Sequence, residues 1–308
     1  MMREFLVLLA VLPLVAQSDR TLTVDEVPGT IFFSADGKTL VTACRDNQVR
    51  VFDVITGKQV RARKYGAGGA LVASNRVFEG IEKKGVQVWD LTEERMLQLL
   101  EGAPVRGRSA LSLDGKLMAA ADTESRQVQV FDVASGKRRH VLSDGIGGAS
   151  DLLFSPDGES LVAANYDNDV RIWKTRSGEL VRKIEDMTGA MFAAQFTPDG
   201  KQLIMAGLDE TMYVLDGATF QKLATYKGHG ETIAALAISP DGKMIVTGGF
   251  DVSTTGNPVK VVFWDMASGT VLKTLRAPHR VLSLAFSPDS QWVAMTAGDR
   301  EISLFRAR

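Results

Sequence analysis

A unit of about 42 residues recurs along the chain and constrains the fold more than any other sequence feature. Its first mark is a phrase of the type Phe-Ser-Pro-Asp-Gly, found with variations at residues 33–37, 111–115, 154–158, 196–200, 238–242 and 286–290. Its second mark is an alternating apolar segment with a large residue near its end: Phe52, Trp89, Phe131, Trp173, Leu215, Trp264 and Phe305. Four short strands account for a unit of this length, so the sequence predicts an all-β, seven-bladed β-propeller.

The pattern within each unit supports strands rather than helices. In Ser-Pro-Asp-Gly, proline fixes φ and glycine accepts a positive φ, which is typical of a tight turn between two strands. The segment from Val170 to Trp173 alternates strictly, which predicts a strand with one buried and one exposed face. A second tight turn of the type Ser-Gly-Lys follows, and a more polar fourth strand then completes the unit.

These motifs resemble those of the WD-repeat (WD40) propellers, and the resemblance covers essentially all of residues 20–308. Trp89-Asp90 and Trp264-Asp265 have the signature pair itself, whereas Phe52-Asp53 is a weaker form. The aspartate that the family places in the turn before the third strand is found at Asp46, Asp167, Asp209 and Asp299, and with insertions also at Asp122 and Asp251.

The resemblance implies how the ring closes. The seventh unit stops after its third strand, and residues 20–24 alternate like a strand before the first unit. By analogy with the family, this N-terminal strand supplies the missing edge of the last blade. We therefore expect one domain over residues 19–308, with no open strand edge at the join.

One unit has the complete set of residues for the family's structural hydrogen-bond chain, namely His229, Thr247, Asp251 and Trp264. We interpret this set as structural, because such a chain would satisfy a buried indole N–H and a buried carboxylate. The alternative is a catalytic pair of His229 and Asp251. The second unit departs most from the pattern, with Lys83 at the turn-aspartate position, and we expect its third strand to be held most loosely.

Residues 1–18 have the layout of a secretory signal peptide. Arg3 precedes an apolar run from Phe5 to Val15, and small residues follow, so cleavage after Ala16 or Ser18 is expected. The run is short for a membrane-spanning helix. The alternative is a buried N-terminal strand or helix. We expect an extracytoplasmic (periplasmic or secreted) protein that is not inserted in a membrane after cleavage.

The amino-acid composition of the chain excludes several classes of partner and ligand. The formal net charge is −1, with 36 basic and 37 acidic residues, so the chain lacks the basic excess that nucleic acid attracts. The single cysteine, Cys44, excludes an intramolecular disulfide and cysteine-type zinc sites. Three histidines leave few ways to build a metal site. We expect no cofactor, no metal, no nucleic acid and a monomeric protein.

Candidate partner-binding residues lie in the loops that vary between units. These loops follow the second strand of each unit or precede the first, and function tends to lie in variable loops on a rigid scaffold. Residues just before the turn aspartate project at this end, which selects Arg45, Tyr166 and Phe250, a set with hot-spot composition. The alternative is that Tyr166 and Phe250 pack between blades.

The resemblance implies protein–protein interaction. We therefore expect a non-enzymatic scaffold that binds a protein partner through its variable loops. Two alternatives stay open: a propeller enzyme of the lactonase or hydrolase type with a site in the central channel, and a binder of glycans or small ligands.

Overall fold

The computed structural model describes residues 18–65, 70–73, 76–90, 93, 95–105, 107–122, 124–143, 148–251 and 257–308. The signal peptide expected over residues 1–18 lies almost entirely outside the described residues. Within them the secondary structure consists of strands and turns, as the repeat pattern predicts.

The described strands are numbered in chain order. The first half of the chain forms β1 (Arg20–Thr23), β2 (Pro28–Phe33), β3 (Thr39–Cys44), β4 (Gln48–Asp53), β5 (Gln59–Lys64), β6 (Ala70–Ala73), β7 (Arg76–Ile81), β8 (Gly85–Asp90), β9 (Met96–Glu101), β10 (Ser109–Leu111), β11 (Leu117–Asp122), β12 (Gln127–Asp132), β13 (Arg138–Leu142) and β14 (Ala149–Phe154). The second half forms β15 (Ser160–Asn165), β16 (Val170–Lys174), β17 (Leu180–Ile184), β18 (Met191–Phe196), β19 (Gln202–Gly207), β20 (Met212–Asp216), β21 (Lys222–Tyr226), β22 (Thr232–Ile238), β23 (Met244–Phe250), β24 (Val259–Asp265), β25 (Val271–Ala277), β26 (Ser283–Phe286), β27 (Trp292–Thr296) and β28 (Glu301–Arg306).

The strands form seven antiparallel sheets of four strands each, which confirms the predicted seven-bladed β-propeller. Blade 1 contains β2–β5, blade 2 β6–β9, blade 3 β10–β13, blade 4 β14–β17, blade 5 β18–β21 and blade 6 β22–β25. Blade 7 has the order β1-β28-β27-β26. The first strand of a blade lies beside the first strand of the next, so that β18 contacts β22 and β26 contacts β2. These first strands therefore surround the axis of the ring.

The N-terminal strand closes the ring, as expected. β1 pairs antiparallel with β28, with Leu22 opposite Ile302. The backbone N–H of Arg306 donates to the carboxylate of Asp19 over 2.5 Å, and the Arg20 guanidinium donates to carbonyls of blade 1. Leu22 is buried between blades 7 and 1. The first and last strands are thus held by both pairing and packing.

The hydrophobic core lies between adjacent blades. Trp264 of blade 6 packs with Ile204 and Met212 of blade 5 in one cluster, and its side chain is fully buried. Phe263, the next residue back, faces the other way and packs against blade 7. Neighbouring residues of a third strand therefore pack against opposite blades, so both faces of the blade are buried. The expectation of one exposed face is wrong for Val170 to Trp173, all of which are buried.

One end of the ring carries the stereotyped turns and is here called the turn face. Ser155 donates to the Asp157 carboxylate over 2.5 Å, and the N–H of Glu159 donates to the same oxygen over 3.0 Å. Gly158 has φ 74°, the left-handed conformation that this turn requires. The N–H of Thr175 donates to the Glu159 carbonyl, so both tight turns of blade 4 lie at this end.

The opposite end carries the variable loops and is here called the loop face. Tyr166, between the second and third strands of blade 4, donates its N–H to the carbonyl of Gly148, which precedes the first strand, over 3.1 Å. Leu208 and Ala190 are joined in the same way in blade 5, over 2.9 Å. Both sets of variable loops therefore form one surface.

Candidate functional site

The structure places all three predicted partner-binding residues on the loop face but in different blades. Arg45 follows β3 in blade 1 and is exposed, Tyr166 follows β15 in blade 4, and Phe250 ends β23 in blade 6. Blade 5 separates the two aromatic residues, and blade 7 separates Phe250 from Arg45. The loop face therefore does not bring the three together in one cluster.

Tyr166 both contacts the neighbouring blade and faces solvent. Its ring lies 6.1 Å from that of Phe192, on the first strand of blade 5, with the two planes tilted by 56°. Its side chain is nevertheless 55% exposed. Because one side of the Tyr166 ring packs on Phe192 and the other faces solvent, the side chain loses little conformational entropy when a partner binds. Such a tyrosine is well suited to a protein contact.

Leu208 occupies the same position in blade 5 and was not singled out from the sequence. It precedes Asp209, as Tyr166 precedes Asp167, and it is 45% exposed. The sequence prediction favoured aromatic and basic residues and therefore omitted the aliphatic Leu208. Its position just before Asp209 was the signal that could have identified it.

Phe250 is half-buried, and its ring contacts a cationic side chain of the next blade. The guanidinium carbon of Arg280, in the loop before β26, lies 4.4 Å from the centre of the Phe250 ring. This cation–π contact joins blades 6 and 7. Phe250 therefore has part of the interblade role given as the alternative, but it also lines a cleft.

That cleft opens on the loop face between blades 5 and 6, has a volume of about 490 Å³ and is here called the blade 5–6 cleft. Phe250 forms part of its wall, and its acidic residues are Glu210, Glu231 and Asp251. Arg276 Nη1 lies 3.1 Å from Glu231 Oε1 and donates to the Pro258 carbonyl over 3.0 Å. The guanidinium in the lining is therefore already paired with a carboxylate.

Most of the predicted turn aspartates stabilise their own turns. Backbone N–H groups two residues later donate to Asp46, Asp122, Asp209 and Asp299, over 2.9–3.3 Å. Asp167 differs, since its carboxylate lies 3.4 Å from the Arg126 guanidinium of blade 3. These aspartates shape the loops, and three of the residues just before them, Arg45, Tyr166 and Leu208, are exposed.

The predicted hydrogen-bond chain in blade 6 is present in part. Trp264 Nε1 donates to Thr247 Oγ1 over 2.8 Å, inside the core. His229 instead pairs through Nδ1 with the Glu231 carbonyl over 3.0 Å, and its buried Nε2 has no hydrogen-bond partner. The His229 ring therefore faces its own loop, and the part of the expected chain that the structure shows is the bond between Trp264 and Thr247.

His229 has the environment of a neutral structural histidine. Burial lowers its pKa to about 4, and the ring has no exposed surface. A general base must reach its substrate and titrate near the working pH. The geometry therefore gives no support to the catalytic pair that was considered as an alternative.

The third strand of blade 2 has a side-chain anchor that the expectation did not include. Trp89 Nε1 donates to Glu79 Oε2 over 2.8 Å, so a carboxylate on the second strand replaces the hydroxyl that Thr247 supplies in blade 6. The expectation of a loosely held third strand was based on Lys83 and did not consider Glu79. An acidic residue within an apolar second strand was the available signal.

A half-buried acid near the ring axis was also missed. Asp151, on the first strand of blade 4, accepts the backbone N–H of Ala194 in blade 5 over 2.9 Å and that of Leu152 over 3.0 Å. Burial raises its pKa, and the charge of Arg108 opposes that rise. The contacts tie two blades together and account for the carboxylate without a ligand.

Within the described part of the chain, no group of three or more histidine, cysteine, aspartate or glutamate side chains is placed to hold a metal ion. The same residues include no helix that is both long and apolar enough to cross a membrane.

Comparison with known proteins agrees with the architecture. The WD40 family (WD domain, G-beta repeat) matches residues 19–53, 136–174, 220–251 and 269–306. The chain is similar to a Periodic tryptophan protein 2 homolog of Dictyostelium discoideum, with 25% identity over 150 residues, covering 45% of this chain and 16% of that protein.

A second relative is an uncharacterized WD repeat-containing protein of Synechocystis sp. It is 34% identical over 132 residues, which cover 41% of this chain and 38% of the relative. The chain thus aligns with well under half the length of each of these two relatives. The matched repeats, together with the seven four-stranded sheets, make the chain a member of the WD40-repeat family with a seven-bladed β-propeller.

Proposed function

We propose that the protein is a non-enzymatic scaffold that binds a protein partner through the loop face of blades 4 to 6. The observation that carries this proposal is the exposure of Tyr166 and Leu208 at equivalent positions of adjacent blades, with Phe250 at the same position of the next. Exposed apolar side chains that lie in a series and are bordered by polar loops are typical of protein interaction sites.

The family supports this assignment, because WD40 propellers commonly act in protein interaction. Two titratable groups with shifted pKa values bear on the catalytic alternative. His229 is enclosed and neutral, and the Asp151 carboxylate accepts two backbone N–H groups. A general base must reach its substrate, and the fully buried His229 ring does not meet that requirement.

We further propose that residues 1–18 direct export, so that the partner is extracytoplasmic. Both expected cleavage positions precede Arg20, the first residue of the closing strand β1. Cleavage therefore leaves the pairing of β1 with β28 intact. N-terminal sequencing of the protein purified from its native cells tests this, with Gln17 or Asp19 as the expected first residue. A protein that retains Met1 or Met2 contradicts export with cleavage.

Site-specific photo-crosslinking tests the interaction face. A benzophenone amino acid at position 166 is compared with the same probe at Leu113, which is 73% exposed but lies on the turn face. We expect position 166, and not position 113, to give a discrete adduct in extracts of the native cells. The same adducts from both positions, or none from position 166, would refute the assignment of the face.

A matched set of variants provides a second test of the interaction face. The combined Tyr166→Ala, Leu208→Ala and Phe250→Ala protein should lose partner binding while keeping its circular dichroism spectrum, whereas Leu113→Ala should keep both. The loss of one hot-spot side chain costs about 2 kcal/mol or more of binding free energy, so the affinity for the partner should fall by more than about thirtyfold. A triple variant with unchanged binding and fold counts against the proposal.

A further inference from the structure

Two of the exposed residues that carry the proposed partner contact rest on one short segment of blade 5. This segment, residues 188–192, leads into β18 and is here called the seam segment. The Tyr166 ring lies 6.1 Å from that of Phe192, and the backbone N–H of Leu208 donates to the Ala190 carbonyl over 2.9 Å. The positions of Tyr166 and Leu208 relative to each other therefore depend on how the seam segment is held.

The turn that carries Leu208 lies directly against the seam segment. A Cβ atom at Gly207 would lie 1.9 Å from the Ala190 carbonyl oxygen, so the two backbones approach too closely for any other residue there. A Cβ atom at Gly189 would lie 3.3 Å from the Cβ of Leu208, which places the leucine over that glycine. The turn and the seam segment therefore meet through their backbones, with Leu208 on the outside.

A cluster of three side-chain oxygens ties the turn to the seam segment. Asp209 follows Leu208, and its Oδ2 accepts the Tyr213 hydroxyl over 2.5 Å as well as the Thr188 hydroxyl. Its Oδ1 accepts the backbone N–H of Thr211 over 3.3 Å. Hydrogen bonds to carboxylates are among the strong ones in proteins. One carboxylate thus joins the seam segment, the turn after β19 and the third strand β20.

Tyr213 supplies the rigid end of this cluster. Its side chain is 4% exposed and packs with Ile184 and Met187 in the hydrophobic core between blades 4 and 5. Burial and the hydrogen bond to Asp209 raise the pKa of its hydroxyl, so the group stays protonated and remains a donor. The cluster therefore connects the ordered core to the surface of the loop face.

We propose that Thr188 and Tyr213 are positioning residues for the partner contact. Their hydroxyls hold the Asp209 carboxylate, and this fixes Leu208 and the seam segment beside Tyr166 before the partner binds. The partner then meets a preformed surface, so binding avoids the entropy cost of ordering the turn. The inference rests on the proposed function and adds the residues that order its contact surface.

Two tyrosine-to-phenylalanine variants in blade 5 test the proposal. Tyr213→Phe removes the hydroxyl from Asp209, whereas Tyr226→Phe removes one that donates over 3.1 Å to the Met266 carbonyl, in a turn of the turn face. Each variant loses a tyrosine hydroxyl, so both should lose some unfolding stability. With the benzophenone probe at position 166 and limiting native extract, Tyr213→Phe should lower the adduct yield by about threefold to tenfold, and Tyr226→Phe should leave it unchanged.

Thr188 allows a second pair of variants, and because it is exposed the protein should keep its fold. Thr188→Val removes the hydroxyl and should lower the adduct yield as Tyr213→Phe does, whereas Thr188→Ser keeps a hydroxyl and should retain the yield. Amide hydrogen exchange gives a readout within the protein itself. Residues 207–211 should exchange about threefold to tenfold faster in Thr188→Val and Tyr213→Phe, but not in Tyr226→Phe.

Three results would overturn the inference. The first is a wild-type adduct yield from Tyr213→Phe, the second is an equal fall in yield from Tyr226→Phe, and the third is a Thr188→Ser protein that behaves like Thr188→Val. Failure of the proposed function is distinguishable, because the wild-type protein then gives no adduct from position 166 or the same adducts as from position 113, and the inference fails with it. A specific wild-type adduct whose yield the variants do not change refutes the inference alone.

Discussion

Arg50 and Asp46 form a two-point ion pair inside the propeller, with Nη1 3.0 Å from Oδ1 and Nη2 2.6 Å from Oδ2. The Arg50 side chain is 4% exposed and that of Asp46 is 26% exposed. Arg50 is two residues before Phe52, so it lies on the strand face that packs toward blade 7. The pair therefore links the first turn of the loop face to the interface that closes the ring.

The two halves of this pair should differ in their effect on stability. Asp46→Asn leaves a nearly buried guanidinium without its charge partner and should lower the free energy of unfolding by about 3 kcal/mol. Arg50→Met leaves a partly hydrated carboxylate and should cost about 2 kcal/mol or less. Urea denaturation of the two variants shows which of them loses more unfolding free energy. A larger loss for Arg50→Met contradicts this account of the pair.

The Asp46 carboxyl also gives the pair a pH dependence. The hydrogen bonds from Arg50 hold its pKa below the usual 3.8. A carboxyl whose pKa is lowered in the folded state stabilises the fold above its unfolded pKa, and this contribution is lost as the pH falls below about 3.8. The difference in stability between wild type and Asp46→Asn should therefore shrink in acid. A constant difference from pH 6 to pH 2.5 contradicts the assignment.

The hydrogen bond between Trp264 and Thr247 predicts the effect of an isosteric change. Thr247→Val removes the acceptor and leaves a buried indole N–H unsatisfied, which should cost about 1–3 kcal/mol of unfolding free energy. Thr270→Val, at an exposed position on the turn face, is the control and should change stability by less than about 0.5 kcal/mol. Equal stabilities for the two variants would show that the bond is unimportant.

The periodic features of the chain were predictable, because a ring of blades repeats the same local rules. Tight turns fix the ends of strands, and the alternation that buries Trp173 fixes their faces. The closing strand was also predictable, since residues 20–24 alternate and the last unit lacks its fourth strand. These inferences need the order of residues and not their exact positions.

Contacts that depend on two loops from different blades were not predictable in this way. Arg280 lies over Phe250 because the two blades place their loops side by side, and nothing in the spacing of these residues indicates that contact. His229 Nδ1 pairs with the Glu231 carbonyl, a partner that depends on the ring orientation and that the sequence pattern does not indicate. The cleft beside Glu210 likewise depends on distances that no repeat pattern contains.

His229 should make stability depend on pH in mildly acidic solution. Its pKa is lowered to about 4 by burial, whereas the unfolded chain has the ordinary value of 6.5. The unfolded state therefore binds the proton first, so stability falls as the pH drops from about 6.5 to about 4, by roughly 3 kcal/mol in all. His229→Gln should remove this component in urea titrations at several pH values. His140→Gln is the control and should retain it; equal pH profiles for wild type and His229→Gln contradict the prediction.

The closing strand should control the stability of the whole ring. Leu22 is buried between blades 7 and 1, so Leu22→Ala should cost about 2–5 kcal/mol and lower the melting temperature by roughly 5–10 °C. Thr21→Ala changes an exposed side chain of the same strand and should leave the melting temperature within about 2 °C of wild type. Deletion of residues 19–25 removes the pairing with β28 and should be more severe than Leu22→Ala, because it exposes an open strand edge as well as the apolar interface. Calorimetry of the three proteins ranks their melting temperatures. A truncated protein with the melting temperature of the wild type would show that the ring closes without β1.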